Sequence, residues 1–152
     1  MFSIRPANPD EAATIAAQRR AMFVDMGYRD DRVLDAMTGA FLTWVREKMS
    51  AGEYLGWFAA AGDGAIAAGA GLWLMDWPPH MIGPGSRRGN ILNVYTEPTY
   101  RRRGLARRLT ETVIGWCNEN AVATVILHAS DEGRTLYSSL GFQPTNEMRL
   151  SL

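Results

Sequence analysis

The sequence lacks several features that define whole classes of protein. It has one cysteine, Cys117, which excludes an intrachain disulfide and a multi-cysteine metal site, so we expect no metal. Its 16 basic residues equal its 16 acidic ones, so the positive excess that holds proteins to nucleic acid or anionic membranes is missing. No apolar run is long enough to cross a bilayer, and "MFSIRPANPDEAA" turns polar too early for a secretory leader. These absences predict a cytoplasmic protein whose partners are neither nucleic acid nor membrane.

The residues that are present describe an ordinary globular chain. Of 152 residues, 47% are apolar and 21% are charged, which is enough to bury a sizeable core. The sequence shows no internal repeat, linker or low-complexity tract. Strand-like and helix-like segments alternate along it, which predicts one mixed α/β domain over residues 1–152.

Turn and capping residues set the predicted order of elements. Asn8, Pro9 and Glu11 are typical of a helix start, and the segment 62–64, Gly-Asp-Gly, joins two apolar runs as a hairpin. The predicted order is a strand at 2–7, a helix at 8–27, a helix at 30–50, a hairpin at 53–75, a strand at 90–96, a helix at about 104–120, a strand at 123–129, a helix at 133–141 and a last strand at 147–152. The segment 76–89, with its prolines and glycines, is predicted to be irregular.

The segment "YRRRGLARRL", residues 100–109, places five arginines around Gly104. It lies between a predicted strand and a predicted helix, where free backbone N–H groups at the helix start can bind an anion. Glycine lets the backbone approach such an anion closely. The P-loop and dinucleotide-binding motifs are absent from the sequence. The pattern therefore favours a phosphate cradle, with a solvated helix end and a nucleic-acid patch as alternatives.

A wider pattern surrounds this segment. Arg101-x-x-Gly104-x-Ala106 follows "NVYTEPTY" and precedes "LYSSLGF". Together they resemble the GCN5-related N-acetyltransferase superfamily, whose signature is (Gln/Arg)-x-x-Gly-x-(Gly/Ala), and the resemblance covers nearly the whole chain. It implies an α/β (α+β) fold with a mixed, mostly antiparallel sheet, flanked by helices and splayed at the strand that binds acetyl-CoA. It also implies transfer of an acetyl group to an amine by direct attack in a ternary complex.

The resemblance assigns the acetyl-CoA contacts. Backbone amides of the signature turn are implied to hold the pyrophosphate, namely those of Arg101, Arg102, Arg103, Gly104, Leu105, Ala106 and Arg107. The strand residues implied to pair with the pantetheine arm, or to polarise the thioester carbonyl, are Val94, Tyr95 and Thr96. Ser130 stands where the family usually has an asparagine or a similar polar residue near that arm, so we expect a weaker or different contact there.

The resemblance also suggests catalytic residues. Tyr137, in the "LY" pair, is implied to protonate the departing thiolate, since a phenol with a pKa of ~10 is protonated at neutral pH. Glu97 is the candidate general base, with Asp76 and His80 as rivals, and a mechanism without a dedicated base is also considered. Cys117 is not needed as a nucleophile, and its helical position beside Trp116 indicates a core residue.

The resemblance implies an amine of a small molecule or peptide as the acceptor, and we expect its contacts to come from two segments, 25–32 and 75–89. The candidate contacts are Tyr28, Trp73, Asp76 and Trp77, because carboxylates and aromatic rings suit a cationic amine. In the alternative interpretation the tryptophans close the core and the aspartates of these segments cap helices.

Two other functions are considered. The domain could bind acyl-CoA as a sensor or partner subunit without catalysis, or it could bind nucleic acid through the segment 101–108. Many relatives in the resembled superfamily pair as dimers, so a homodimer is also considered.

Overall fold

One five-stranded sheet organises the part of the chain that the computed structural model describes, residues 1–83 and 85–152. Its strands are β1 (Ser3–Pro6), β2 (Tyr54–Ala60), β3 (Ile66–Asp76), β4 (Arg87–Thr96) and β5 (Val125–Leu127). They lie side by side in chain order; β1 to β4 are antiparallel, and β5 is parallel to β4. This arrangement confirms the predicted mixed, mostly antiparallel sheet.

The described residues also form four α-helices, which are α1 (Ala12–Asp25), α2 (Asp31–Ser50), α3 (Leu105–Glu119) and α4 (Asp131–Ser139). Two of the helix starts show why the sequence begins helices there. The Glu11 carboxylate accepts the Asn8 N–H at 2.8 Å before α1, and the Asp30 side chain accepts backbone N–H groups at the start of α2. None of the described helices contains a stretch long and apolar enough to span a bilayer.

The helices cover both faces of the sheet. On one face, buried residues of α3, including Leu109 and Val113, pack against β2 and β3. On the other face, α1 and α2 bury Tyr54 and Phe58 of β2. Cys117 lies in the α3 cluster, where burial raises the pKa of its thiol to about 11, so the prediction that it is a core residue is confirmed.

A β-bulge interrupts β4 near its end. Gly69 of β3 pairs with Tyr95 and Gly71 pairs with Leu92, so two residues of β4 face one residue of β3. Asn93 lies in the bulge with φ 58°, a left-handed conformation that asparagine tolerates better than most residues. The bulge bends β4 just before its last residues.

The sheet opens between β4 and β5. Gly89 to Ile91 pair with the three residues of β5, and no described strand pairs with Leu92 to Thr96 on that side. The predicted splay at the strand before the signature turn is therefore confirmed.

The structure corrects the predicted elements in two segments. The last strand at 147–152 does not form: Met148 and Leu150 are 94% and 82% exposed, and no described strand supplies hydrogen-bond partners. The alternation of apolar residues alone could not supply a partner strand. In the segment 76–89, which was predicted to be irregular, β3 extends to Asp76 and β4 begins at Arg87, because these two residues still pair across the hairpin. Residue 84 of that segment lies outside the described residues.

Candidate active site

The signature turn presents its backbone as an array of donors. Arg102 and Gly104 have φ angles of 62° and 73°, on either side of Arg103, and α3 begins at Leu105. No described residue accepts a hydrogen bond from the N–H groups of 102–107; the first N–H of α3 with a partner is that of Arg108. Alternating backbone conformations of this kind form a concave group of amides that binds anions, and the helix dipole adds positive potential. The turn therefore has the geometry of the predicted phosphate cradle.

The arginine side chains of the turn are largely engaged by other parts of the protein. Arg101 donates to the carbonyl of Thr96 and pairs with Asp25, and Arg103 lies over the rings of Phe2 and Tyr100. Arg107 donates to the Ser139 hydroxyl, and Arg108 donates to the carbonyl of Phe2. No such contact involves Arg102 within residues 1–83 and 85–152. The donors that folding leaves for an anion are therefore mainly backbone amides.

The end of β4 lies beside this turn. Tyr95 is buried, and Val94 and Thr96 are half-buried at the open side of the sheet. The Arg101 guanidinium lies over the Tyr95 ring at 5.6 Å and donates to the Thr96 carbonyl at 2.9 Å. This arginine therefore fixes the turn to the strand end, and the two predicted halves of the acetyl-CoA site are adjacent.

Tyr137 lies on α4. Its ring packs against the backbone of Gly133, where a Cβ would come within 2.9 Å of it, and meets the edge of Phe142 at 5.9 Å. Burial raises the pKa of the phenol, which keeps it protonated at neutral pH, as the role of an acid requires. Ser130 caps the same helix, since its Oγ accepts the Gly133 N–H at 3.1 Å. The local fold thus gives Ser130 a structural contact in addition to its predicted one.

Glu97 follows β4 directly. Its backbone N–H continues the sheet by donating to Ala67 at 2.8 Å, and its side chain makes no hydrogen bond to a described residue. Burial is the main cause that raises the pKa of the Tyr95 phenol, and the negative charge of Glu97 is the second. The Glu97 carboxylate therefore lies near the strand end. The structure thus places Glu97 at the end of β4 that leads into the signature turn, and its side chain has no hydrogen-bond partner among the described residues.

The turn between α1 and α2 lies at this same end of the sheet. Tyr28 is 56% exposed, packs edge-on against Phe23 at 5.5 Å, and lines a largely apolar groove of about 500 Å³. The aspartates of the turn are engaged: Asp25 binds Arg101, Asp30 caps α2, and Asp31 pairs with Arg20. For these aspartates, the alternative interpretation as structural residues fits the contacts.

The structure does not bring the second predicted acceptor segment to this end. Trp73 packs against Trp44 at 5.3 Å in the core, and the Arg88 guanidinium covers the ring of Trp77 at 3.4 Å. Asp76 is the strand partner of Arg87 and lies seven residues along β3 from Gly69, which pairs with Tyr95. At the usual rise of a strand, Asp76 is therefore roughly 20 Å from the end of β4 that carries Tyr95. His80 lies beyond Asp76 in the same exposed loop. An antiparallel hairpin places its connection opposite its open ends, so the two segments do not flank one cleft.

A buried polar cluster at the bulge was missed by the sequence analysis. Asn93 is 4% exposed; its Oδ1 accepts from Arg19 Nη1 at 2.7 Å, and its Nδ2 donates to Tyr54 Oη at 2.9 Å. Burial raises the pKa of Tyr54 to about 12. A glycine is required at Gly71, because a Cβ there would clash with the Tyr54 hydroxyl. The signal in the sequence is an asparagine between Ile91 and Tyr95, at an inward position of an otherwise apolar strand face.

Comparison with known proteins identifies the family. A profile of the "Acetyltransferase (GNAT) family" matches residues 17–142. The chain belongs to the GNAT family of acetyltransferases. The matched part contains the bulge, the signature turn and Tyr137, so the resemblance read from the sequence is confirmed. A comparison with curated protein sequences found no match.

Solved structures share the whole architecture of this GNAT chain. A GCN5-related N-acetyltransferase from Ralstonia eutropha is 36% identical with a TM-score of 0.92, covering 100% of this chain and 99% of that one. A protein from Clostridium acetobutylicum, described as a predicted acetyltransferase with acetyl-CoA, is 27% identical with a TM-score of 0.87, covering 100% and 96%. An aminoglycoside N-acetyltransferase in complex with CoA is 20% identical with a TM-score of 0.73, covering 100% and 94%, and shows the fold alone.

Proposed function

We propose that this GNAT protein transfers the acetyl group of acetyl-CoA to the amine of a small molecule or peptide, by direct attack within a ternary complex. The observation that carries the proposal is the run of open N–H groups at 102–107 beside the splay between β4 and β5. The relative from Clostridium acetobutylicum, described with acetyl-CoA, supports the same donor.

The signature turn is assigned to the pyrophosphate of acetyl-CoA. Its amides supply several donors at once, and Gly104 has no side chain to hold the phosphates away. The surrounding arginines add positive potential even though most of their side chains are engaged elsewhere. The turn therefore fits a diphosphate better than a single carboxylate.

The open side of β4 is assigned to the pantetheine arm. From Val94 to Thr96 the backbone has no strand partner on that side among the described residues, so an extended amide chain can add to it as a strand would. A backbone N–H of this segment would also donate to the thioester oxygen as negative charge develops there. Ser130 keeps its hydroxyl proton for a contact to the arm while it caps α4.

The reaction then needs little covalent chemistry from the protein. The neutral amine nitrogen forms a bond to the acetyl carbon, the carbon–sulfur bond breaks, and the sulfur leaves as a thiolate. Tyr137 donates its phenolic proton to that thiolate, and the proton lost by the amine leaves through a base. Holding both reactants together supplies much of the rate, so no covalent intermediate on the protein is required.

Glu97 is proposed as that base, acting through water. It follows the strand that holds the thioester, and its carboxylate makes no hydrogen bond within the described residues. We expect Glu97→Gln to lower the rate most at pH values where the amine is protonated and least where the amine is already neutral. An equal loss at every pH would assign Glu97 to positioning instead.

The experiment that tests the proposal is calorimetric titration of the protein with acetyl-CoA, with its dephospho analogue, and with S-acetylpantetheine, which lacks the pyrophosphate. We expect saturable binding of one acetyl-CoA per chain, which weakens when phosphates are removed, followed by acetylation in a screen of amines. If the protein did not bind acetyl-CoA at modest salt, the proposal would be wrong. Binding to DNA or RNA that falls steeply with salt would instead support the nucleic-acid alternative.

A further inference from the structure

Arg19 of α1 is a cation packed inside the protein. Its guanidinium lies over the rings of Phe23 and Phe41, with centroids 5.0 and 4.8 Å away. Its Nη1 donates to Asn93 Oδ1 at 2.7 Å, while its Nε is buried and has no acceptor among the described residues. The contacts that hold this charge are therefore aromatic faces and one neutral amide.

The charge of Arg19 has no counter-ion in the described part of the chain. No carboxylate lies within 4.0 Å of it, whereas Arg5, Arg20, Arg101 and Arg107 each have one. Burial lowers the pKa of Arg19, and the only opposing influence is the neighbouring Tyr54 hydroxyl. Burying an unpaired charge is costly, so the surroundings favour an anion that the folded chain does not itself supply.

The guanidinium keeps one side available for that anion. Nη1 is occupied by Asn93 and Nε is sealed inside the protein, but Nη2 is not sealed and makes no hydrogen bond to any described residue. A guanidinium matches carboxylate and phosphate oxygens well, and the flanking rings fix its orientation. The open nitrogen is thus a pre-oriented donor to an anionic group.

This donor lies at the reaction centre defined by the proposed function. Arg19 donates a hydrogen bond to Asn93, the bulge residue that directly precedes Val94. The pantetheine arm is assigned to the segment of β4 that begins at Val94. The aspartates of the neighbouring turn, Asp25, Asp30 and Asp31, are engaged by other groups and do not offer free negative charge to a cationic acceptor. Arg19 is therefore a charge beside the bulge that has no ion-pair partner among the described residues.

We propose that Arg19 binds an anionic group, a carboxylate or a phosphate, carried by one of the two reactants. This rests on the proposed function and names its substrate class: an amine that also bears an acid group or, failing that, an acyl-CoA whose acyl chain ends in a carboxylate. The acceptor source is favoured because α1 and the α1–α2 turn lie over the side of the sheet opposite α3, next to the groove at Tyr28.

The first test measures anion binding without turnover. Thermal unfolding is followed in sulfate and in chloride at equal ionic strength, with CoA saturating so that the phosphate sites are filled. We expect sulfate to raise the unfolding temperature of the wild type, and the half-saturating sulfate concentration to increase roughly tenfold or more in Arg19→Gln. Arg20→Gln is the matched control, since the neighbouring arginine pairs with exposed Asp31 and Asp35, and it should behave as the wild type.

The second test identifies the source of the anion. Steady-state rates with acetyl-CoA are compared for amino acids against their carboxamides and for O-phosphoethanolamine against ethanolamine, and succinyl-CoA is compared with butyryl-CoA. We expect the acid member of one acceptor pair to have a kcat/KM roughly tenfold or more above its neutral partner, a preference that Arg19→Gln abolishes. Arg19→Lys keeps the charge and should retain part of it.

The outcomes separate this inference from the proposed function. A preference in the succinyl-CoA arm alone supports the acyl-donor source. Equal rates within every pair, together with no difference between sulfate and chloride, overturn the inference even if acetyl-CoA binds and amines are acetylated. If acetyl-CoA fails to bind, the proposed function fails, and the sulfate test is then run without CoA, where the difference between Arg19→Gln and Arg20→Gln still reports on Arg19. A variant of Arg19 that merely unfolds would be distinguished by Arg19→Lys and by its lower unfolding temperature without sulfate.

Discussion

The signature turn and the cluster at the bulge handle positive charge in opposite ways. The turn lies in a run of five arginines, yet four of their side chains are engaged and its open donors are backbone N–H groups. The cluster contains one arginine, Arg19, which has no carboxylate partner in the described residues and keeps an open nitrogen. The difference shows that a protein can bind an anion only with the donors that the folded chain leaves without acceptors. The number of arginines in a segment of sequence does not predict how many such donors remain.

The comparison of the turn with the cluster leads to a general expectation about substitutions. Where the proposed roles depend on side chains, as at Tyr137 and Asn93, removing a side-chain group should have a large effect. Where function depends on the backbone, as at Gly104, changing the backbone conformation should matter more than removing a charge. Substitutions at four positions test this expectation.

Tyr137→Phe is expected to have the largest effect. Removing the proton donor should lower kcat by roughly 100-fold or more, while the Kd for acetyl-CoA changes little because the turn is untouched. The measurement pairs steady-state kinetics with calorimetry. Tyr100→Phe is the control, because it removes the hydroxyl of a half-buried tyrosine that has no predicted catalytic or acceptor role. An unchanged kcat would show that Tyr137 is not the acid, and a wild type that binds acetyl-CoA without turnover would support the sensor alternative.

The pH profile gives an independent measure of the same role. The acid must be protonated, so kcat falls as pH rises through the pKa of Tyr137. Burial raises that pKa above the ordinary value of about 10, so the falling limb should lie above pH ~10 and be absent from Tyr137→Phe. A limb at lower pH that survives in the variant would belong to another group.

Asn93→Ala should have the next largest effect. It leaves Arg19 and the Tyr54 hydroxyl without their buried partner and places a less tolerant residue at a positive φ, so the free energy of unfolding should fall by about 2 kcal/mol. Asn93→Asp sharpens the comparison, because it gives Arg19 an internal carboxylate. We expect this variant to recover much of the stability and to lose the sulfate effect, as measured by chemical and thermal unfolding. Recovery of stability with the sulfate effect intact would contradict the role of Arg19.

The sequence predicts the parts of this fold that depend on local patterns. The analysis of the sequence predicted the helix starts at Asn8 and Asp30, the hairpin around Gly62–Gly64 and the splay before the signature turn. Each of these features depends on residues that are close together in the sequence, namely capping residues, turn residues and the family signature. The strand at 147–152 failed because a strand depends on a partner that the local pattern does not specify.

The candidate site also has a part that the sequence predicts and a part that it does not. The turn at 101–107 could be found because its residues are consecutive. The Arg19–Asn93 contact joins residues 74 positions apart, and the location of Trp77 depends on which end of a hairpin faces the cleft. Long-range register, set by packing of whole elements, decides both, and a single sequence contains no local signal for it.

Gly104→Ala tests the backbone side of the comparison. No described atom crowds the position, but at φ 73° an alanine is strained by roughly 1–2 kcal/mol, so the turn should shift and the Kd for acetyl-CoA should increase about tenfold. Gly115→Ala is the control, because that glycine lies inside α3 with equally open space and the new methyl group favours the helix. If both variants bound acetyl-CoA as the wild type does, the amides of the turn would not be the cradle.

Arg102→Gln is expected to have the smallest effect and closes the comparison. Among the arginines of the run, the side chain of Arg102 makes no hydrogen bond, ion pair or ring contact with described residues. Its loss should therefore leave the fold unchanged and remove only a solvent-exposed charge near the proposed phosphate site. Exposed charges are strongly screened, and the Kd for acetyl-CoA should rise by no more than about threefold at physiological salt. Calorimetry at low and high salt checks this. A loss as large as that of Gly104→Ala would mean that the Arg102 side chain, rather than the backbone, holds the phosphates. The contrast between a backbone-built site and a side-chain-built one would then no longer hold for the turn.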